Sequence, residues 1–347
     1  MNVLIRPICL LVFLLPATLF GGKKDGRLDV YWVDVEGGAA TLIVTPSDES
    51  ILIDTGNPGL RDANRIHKVV GEVAGLRAID HLIVTHYHSD HYGGAEMLSS
   101  ILPIRNVYDN GIFDQMPDNP GKAYFDFRCG NRTVIQPGDL IPLRQNVEAP
   151  AKLELLCLGT RRTFVNPKSV NAKNNQALSN LHRPKDRDGS DNANSIVMLL
   201  RFGNFEFFDA GDLTWNQENR LVNPFNLVGE VDVYQVTHHG LDSSNNPIVL
   251  SSVRPKVAIM NNGDRKGCLP EVFTNLKACE SIEAIYQVHK NLRADGDKYN
   301  VPDEFIANKN KRNECKANYI KLSVSADGEE YTVSIPANSH EQAYATK

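Results

Sequence analysis

Three imidazoles and one carboxylate fall within six residues in the run Thr85-His86-Tyr87-His88-Ser89-Asp90-His91-Tyr92-Gly93-Gly94. The run follows Leu82-Ile83-Val84, an apolar stretch that reads as a buried strand, so the four side chains emerge at its exposed end. A sharp turn after Thr85 lets His86 and His88 face one ion while Asp90 and His91 reach a second beside it. Zinc accepts nitrogen and oxygen donors together, in tetrahedral geometry at roughly 2 Å, so this mixture suits two zinc ions, with manganese as the alternative. The chain holds only ten histidines in 347 residues, and chance is a poor explanation for three of them in so short a span beside an aspartate.

The elements that must position this loop are legible on both sides of it. Residues 27–34 alternate and are rich in β formers, and residues 40–44 and 50–54 follow after turn residues, which predicts a β-meander. Ile66, Val69, Val70 and Val73 recur at helical spacing before Gly75. His67 lies off that stripe and reads as solvent-facing, and His81, inside the strand that leads to the motif, reads as structural. Residues 95–102 predict a short helix that Pro103 ends, with a strand from Asn106. Residues 194–200 and 205–212 read as a hairpin, and residues 232–237 as a strand closed by His238-His239-Gly240. Residues 255–260, a helix over 271–278 and residues 284–286 complete a second β/α half, with a last hairpin over 320–324 and 330–335. Between the halves, residues 159–194 lose apolar periodicity and carry Arg161, Arg162, Lys168, Lys173, Arg183, Lys185 and Arg187. This insertion reads either as a basic lid for an anionic substrate or as a solvated loop.

The pattern His86-x-His88-x-Asp90-His91 with Gly93-Gly94 resembles the signature of the metallo-β-lactamase superfamily. Val33-Asp34-Val35-Glu36-Gly37-Gly38-Ala39-Ala40 and Thr237-His238-His239-Gly240, followed by Ser243-Ser244, resemble its ComEC-like branch, the hydrolase domain of bacterial competence DNA-uptake channels. Glu36-Gly37-Gly38-Ala39 departs from the Gly-Gln-Gly-Asp usual there, and Leu241 replaces a Ser. The resemblance implies an α/β chain folded as a four-layer αββα sandwich over residues 27–337. It implies a two-metal centre held by His86, His88, Asp90, His91, a bridging Asp212 and His239. Asp90 would orient or deprotonate the nucleophile, and His238 would stand free as a proton donor or phosphate contact. Asp54, at the end of residues 51–54, would sit beneath the site and fix a histidine tautomer, or simply end a strand. Where the superfamily places a third histidine for the first ion this chain has Asn194, a weaker donor; His182 in the basic loop is its rival.

Composition sets the outer bounds. With 41% hydrophobic and 23% charged residues this is a globular sequence, and its formal net charge is −5. Arg6, the apolar run over residues 8–15, and Pro16-Ala17 ahead of Gly21-Gly22 read as a signal peptide over residues 1–22. Its removal would leave a charge of −6 and no stable membrane anchor, in a secreted or periplasmic protein. An acidic mature chain has no overall attraction to nucleic acid, so any anionic substrate must be drawn locally. Cys129, Cys157, Cys268, Cys279 and Cys315 would then meet an oxidising compartment with up to two disulfides. The expected function is hydrolysis of a phosphoester or phosphodiester, as a small molecule or in nucleic acid. The alternatives are a lactone or lactam hydrolase, marked by an apolar rim, and a non-catalytic binding protein on the same fold.

Overall fold

The structure is a computed structural model that describes residues 25–146 and 151–347. The expected signal peptide lies outside the described residues. Among them, no helix is long and apolar enough to cross a membrane.

Two sheets face one another. The first runs, edge to edge, His340–Ala345, Glu330–Ile335, Ile320–Val324, Leu28–Trp32, Thr41–Val44, Ser50–Ile53, Ile79–Ile83, Ile104–Asp109 and Asn131–Val134. The second runs Ile306–Asn308, Ala284–His289, Val257–Met260, Val233–Gln235, Phe205–Asp209, Val197–Phe202, Leu153–Thr160 and Thr163–Phe164. Alternation along each strand sorts side chains between two apolar layers. In the strand Leu28–Trp32, Val30 and Trp32 join the core between the sheets, while Tyr31 joins the layer under the helix Leu60–Lys68. The outer face of the second sheet is covered in the same way by the helices Trp215–Val222, Pro247–Val253 and Pro270–Ala278. This is the four-layer αββα sandwich expected from the motif.

The predicted meander, hairpins and second β/α half form close to where residue patterning puts them. The last hairpin does more than close the chain: Ile320–Val324 pairs antiparallel with Leu28–Trp32, so the C-terminal segment completes the first sheet. The strand His340–Ala345, three polar residues followed by Ala-Tyr-Ala, was not foreseen; it is held by six backbone pairings to Glu330–Ile335. The five cysteines of the described residues form no disulfide.

Beneath the strand ends the two sheets are joined by polar groups. Trp32 Nε1 and Thr41 Oγ1 both donate to Gln235 Oε1 at 2.8 Å, and Gln235 Nε2 donates to Asp209 Oδ2 at 2.8 Å. All four are buried, so each polar atom needs such a partner.

Candidate metal centre

The strand Ile79–Ile83 ends at a turn governed by Asp54. That residue has left-handed backbone (φ 62°), a conformation that Asp and Asn tolerate better than most residues. Its Oδ1 accepts from Thr85 N at 2.8 Å, and its Oδ2 accepts from Thr85 Oγ1 and from His91 Nδ1, each at 2.7 Å. With Nδ1 held by Asp54, His91 turns its Nε2 toward the centre. Of the two roles open to Asp54, the geometry matches the histidine-orienting one.

The short helix Ser89–Tyr92 carries Asp90 and His91, and its position explains the paired glycines that follow. A Cβ on Gly93 would lie 2.1 Å from Ser89 O and 2.4 Å from Pro58 Cδ, and one on Gly94 would lie 2.2 Å from Thr55 O. Only glycine lets the chain pass this close. Thr55 completes the clamp, its N and Oγ1 donating to His91 O at 2.7 and 2.9 Å.

Around this loop, donors from both sheets meet. His91 Nε2 lies 3.1 Å from Asp212 Oδ2 and 3.1 Å from His239 Nε2. His239 Nε2 lies 3.3 Å from both Asp212 Oδ2 and Asp90 Oδ2, and its Nδ1 donates to Asn261 O at 3.3 Å. His86 Nε2 sits 3.9 Å from Asp212 Oδ2 and, though buried, has no hydrogen-bond partner. The atoms form two overlapping groups, His86–His91–Asp212 and Asp90–His91–His239, each within 4.8 Å.

The donor set fits divalent cations. An orphaned buried imidazole nitrogen is costly unless something binds it, and two imidazole Nε2 atoms 3.1 Å apart beside two carboxylates call for positive charge between them. Titration points the same way. Burial pushes the His91 imidazole down, but Asp212, Asp54 and Asp90 together carry it well above the ordinary range. Burial lowers His86, and the neighbouring His91 lowers it further. Against the upward push of burial, His239, His91 and His238 hold Asp212 well below the usual carboxylate range. His91, His239 and Lys266 do the same for Asp90.

The remaining expected residues stand at the margins of these groups. His88 is in neither; its ring centroid is 4.8 Å from that of His86, and its Nε2 lies 3.3 Å from Asp118 Oδ2. Asn194 is buried, but its amide donates to Asp191 Oδ1 at 2.8 Å, while Asp191 Oδ2 accepts from Tyr87 N at 2.6 Å. The side chain is thus committed to the wall beside Tyr87 rather than held among the donors. His182 is in neither group; its Nδ1 lies 2.7 Å from the amide of Asn246, the cap of the helix Pro247–Val253.

His238 and His239 have left-handed backbone (φ 56° and 55°), which turns the two rings apart. His238 Nε2 lies 3.4 Å from Asp212 Oδ2 and 3.3 Å from Asn192 Nδ2, and its Nδ1 meets Ser243 Oγ at 2.9 Å. Burial pushes His238 down to about 4, so the ring is neutral at pH 7. The loop that holds Ser243 is fixed by buried Glu218, whose two oxygens accept from Asn245 N and Asn246 N at 2.9 and 2.8 Å.

The basic insertion does not supply the cation at the centre. It is pinned to the second sheet's helices: Lys173–Asn174 pairs with Phe225–Asn226, Trp215 Nε1 donates to Arg183 O at 2.7 Å, and Lys185 pairs with Glu271 at 2.8 Å. Lys266 stands there instead, bonded directly to Asp90. It comes from the turn after the strand Val257–Met260, a segment with no periodicity or motif to mark it in sequence. Asn192 went unnoticed for the same reason. A third group of metal-type side chains, Asp34, Glu36, His289 and Cys315, is braced internally. Arg65 bonds Asp34 and Glu36 at 3.0 and 2.9 Å, and His289 bonds Asp34 at 2.5 Å.

Residues 33–128 match the sequence model of the family described as the metallo-beta-lactamase superfamily. The chain is 26% identical over 247 residues to Recombination protein 2 of Haemophilus influenzae, covering 71% of this chain and 25% of that protein. It is 24% identical over 279 residues to ComE operon protein 3 of Bacillus subtilis, covering 74% of this chain and 30% of that protein. The chain therefore spans well under half the length of these curated relatives. Among solved structures it is similar to CmlA, a diiron beta-hydroxylase from Streptomyces venezuelae, with a TM-score of 0.39 and 16% identity over 67% of this chain and 44% of that one.

Proposed function

We propose, starting from a metal-dependent hydrolase of the metallo-β-lactamase superfamily whose relatives lie in the ComEC-like branch, that this protein is exported and cleaves phosphoesters, foremost a phosphodiester, with zinc as its resident ion. The observation that carries the substrate class is the rim. A cavity of about 550 Å³ opens beside Asp90 and is lined by Glu36, Gly37, Asn57, Ser89, Asp264, Arg265, Lys266 and Arg312, without one large apolar side chain. An apolar rim would favour a lactone or lactam and none is present; the mouth's Arg265, Lys266 and Arg312 are matched in number by Glu36, Asp90 and Asp264, so an anion is drawn by a local cation rather than by net charge. Export rests on the apolar segment near the N-terminus.

His86, His91, Asp212, Asp90 and His239 would hold the ions, with His88 beside them. When bound, the ions supply Lewis acidity to the scissile group and to the attacking water. The rest belongs to the chain's own residues. Asp54 fixes the tautomer of His91. Asp90 stays ionised and acts as an acceptor that orients the nucleophile rather than as a proton donor. Neutral His238 presents a ring nitrogen at the edge of the centre, backed by Ser243, where it can hydrogen-bond a phosphoryl oxygen or relay a proton to the leaving oxygen. A chain with no net attraction to polyanions suits a short diester better than a long nucleic acid.

The test is a screen of chromogenic phosphodiester, phosphomonoester and lactone substrates, with the protein loaded with zinc or with manganese. Turnover of phosphoesters is expected. Turnover of the lactone alone would overturn the reading.

A further inference from the structure

We infer that Lys266 is the anion clamp of this centre, an ammonium that leaves Asp90 to hold a non-bridging oxygen of the substrate, so that the preferred substrate is an ester that keeps a negative charge at phosphorus. The inference rests on the phosphoester reading and narrows it.

Lys266 Nζ bonds the same atom, Asp90 Oδ2, that lies 3.3 Å from His239 Nε2 and 3.7 Å from His91 Nε2. That oxygen belongs to one of the two donor groups, so a cation held there competes with Lys266 for it. The ammonium then faces positive charge at short range, and an anion between the two removes the repulsion. The side chain has room for the exchange: it is 37% exposed and lines the cavity beside Asp90.

Its base is fixed while its tip is free. Gly263 N donates to Lys266 O at 2.9 Å. Residues 36–37 pack on this turn so closely that a Cβ on Gly37 would lie 3.0 Å from Gly263 N and 3.2 Å from Lys266 Cβ. The other charges at the mouth are less available. Arg312 Nε lies 3.5 Å from Glu36 Oε2 and its backbone N donates to Asp264 Oδ2 at 3.2 Å, whereas Arg265 is exposed at the outer edge. Lys266 is the cation among these that bonds Asp90, a donor of the centre itself.

The test uses the full chain loaded with zinc, with inorganic phosphate as the probe, titrated by calorimetry against wild type, Lys266→Met and Lys266→Arg. Loss of one charge-assisted contact predicts phosphate binding weaker by about tenfold or more in Lys266→Met, with the arginine variant retaining most of it. Zinc content is expected to be undiminished in Lys266→Met, because the variant removes a competitor for Asp90. In kinetics, the loss on a diester should exceed that on a neutral phosphotriester by about tenfold, mostly through KM. Phosphate affinity within about twofold of wild type in Lys266→Met, or equal losses on diester and triester, would overturn the clamp. Failure of the wild type to turn over any phosphoester would instead overturn the phosphoester reading, a result separable from the binding data.

Discussion

Replacing Asp54 by Asn tests how the centre is organised without touching an atom that would meet an ion. The exchange is isosteric, and Asn keeps the left-handed backbone (φ 62°) that Ala would strain. The carboxylate makes three buried contacts: Thr85 N to Oδ1 at 2.8 Å, and Thr85 Oγ1 and His91 Nδ1 to Oδ2, each at 2.7 Å. An amide has one acceptor oxygen. If that oxygen stays on Thr85 N, the amide NH2 confronts the Nδ1 hydrogen of His91, and the ring must move that hydrogen to Nε2, where it blocks the centre. If the amide turns over to serve His91, Thr85 N is left unpaired in the interior at about 1–3 kcal/mol. In the first case the loss falls on ion binding, by about 10- to 100-fold in affinity, or roughly 1.4–2.8 kcal/mol; in the second it falls on the stability of the metal-free fold. The assay is competition for zinc against a graded chelator, with ion content counted at each step and thermal unfolding of the metal-free proteins as the control. An Asp54→Asn variant that holds zinc within about twofold of wild type and, metal-free, unfolds as wild type does would refute the tautomer argument.

Further outcomes follow from the same geometry. Asp212→Ala should abolish hydrolysis with loss of bound ion while circular dichroism stays native, and full activity would overturn the two-metal reading; His88→Ala, at a residue outside both donor groups, should lower activity with bound ion retained. With the Asn194 amide tied to Asp191 and the His182 ring to Asn246, both outside the donor groups, His182→Ala should leave ion retention unchanged in the chelator assay, and loss of ion would make His182 a donor. Burial pushes the Cys157 and Cys268 thiols up to about 12, so at pH 8 iodoacetamide should label Cys129 and Cys279 in the native protein and reach those two only after unfolding, as peptide mass mapping would show. Intact-mass measurement of protein from the native host should place the mature N-terminus near Gly21 to Gly26, and retention of residues 1–20 would remove the case for export.

Much of the fold was legible because its strands are built from dense β-branched and aromatic runs with turn residues between them, and because the donor loop compresses its chemistry into one short segment. The strand His340–Ala345 was not, since it owes its place to the neighbour it pairs with rather than to apolar content. For the basic insertion the sequence leaves a lid and a solvated loop both open, because charge counting does not reveal that Lys185 is already paired with Glu271. Lys266 escaped notice for the converse reason: it is a lone lysine in a turn, and only the packing of residues 36–37 against it carries it to Asp90. Asn194 occupies the expected position in sequence, yet its amide is drawn aside by Asp191, a neighbour that periodicity does not flag.

The donors are divided between the halves of the sandwich: His86, His88, Asp90 and His91 follow a strand of the first sheet, and Asp212 and His239 follow strands of the second. Neither half owns a complete centre, so the ion affinity is a property of how the sheets are docked. The buried link Trp32–Gln235–Asp209 that crosses between them acts as a spacer, setting the gap across which the ligands must reach. A change at Gln235 would therefore reach the chemistry as a loss of alignment, and occupancy of the centre would in turn work as a removable rivet between two otherwise separate layers, raising the cost of parting them in proportion to the logarithm of free ion.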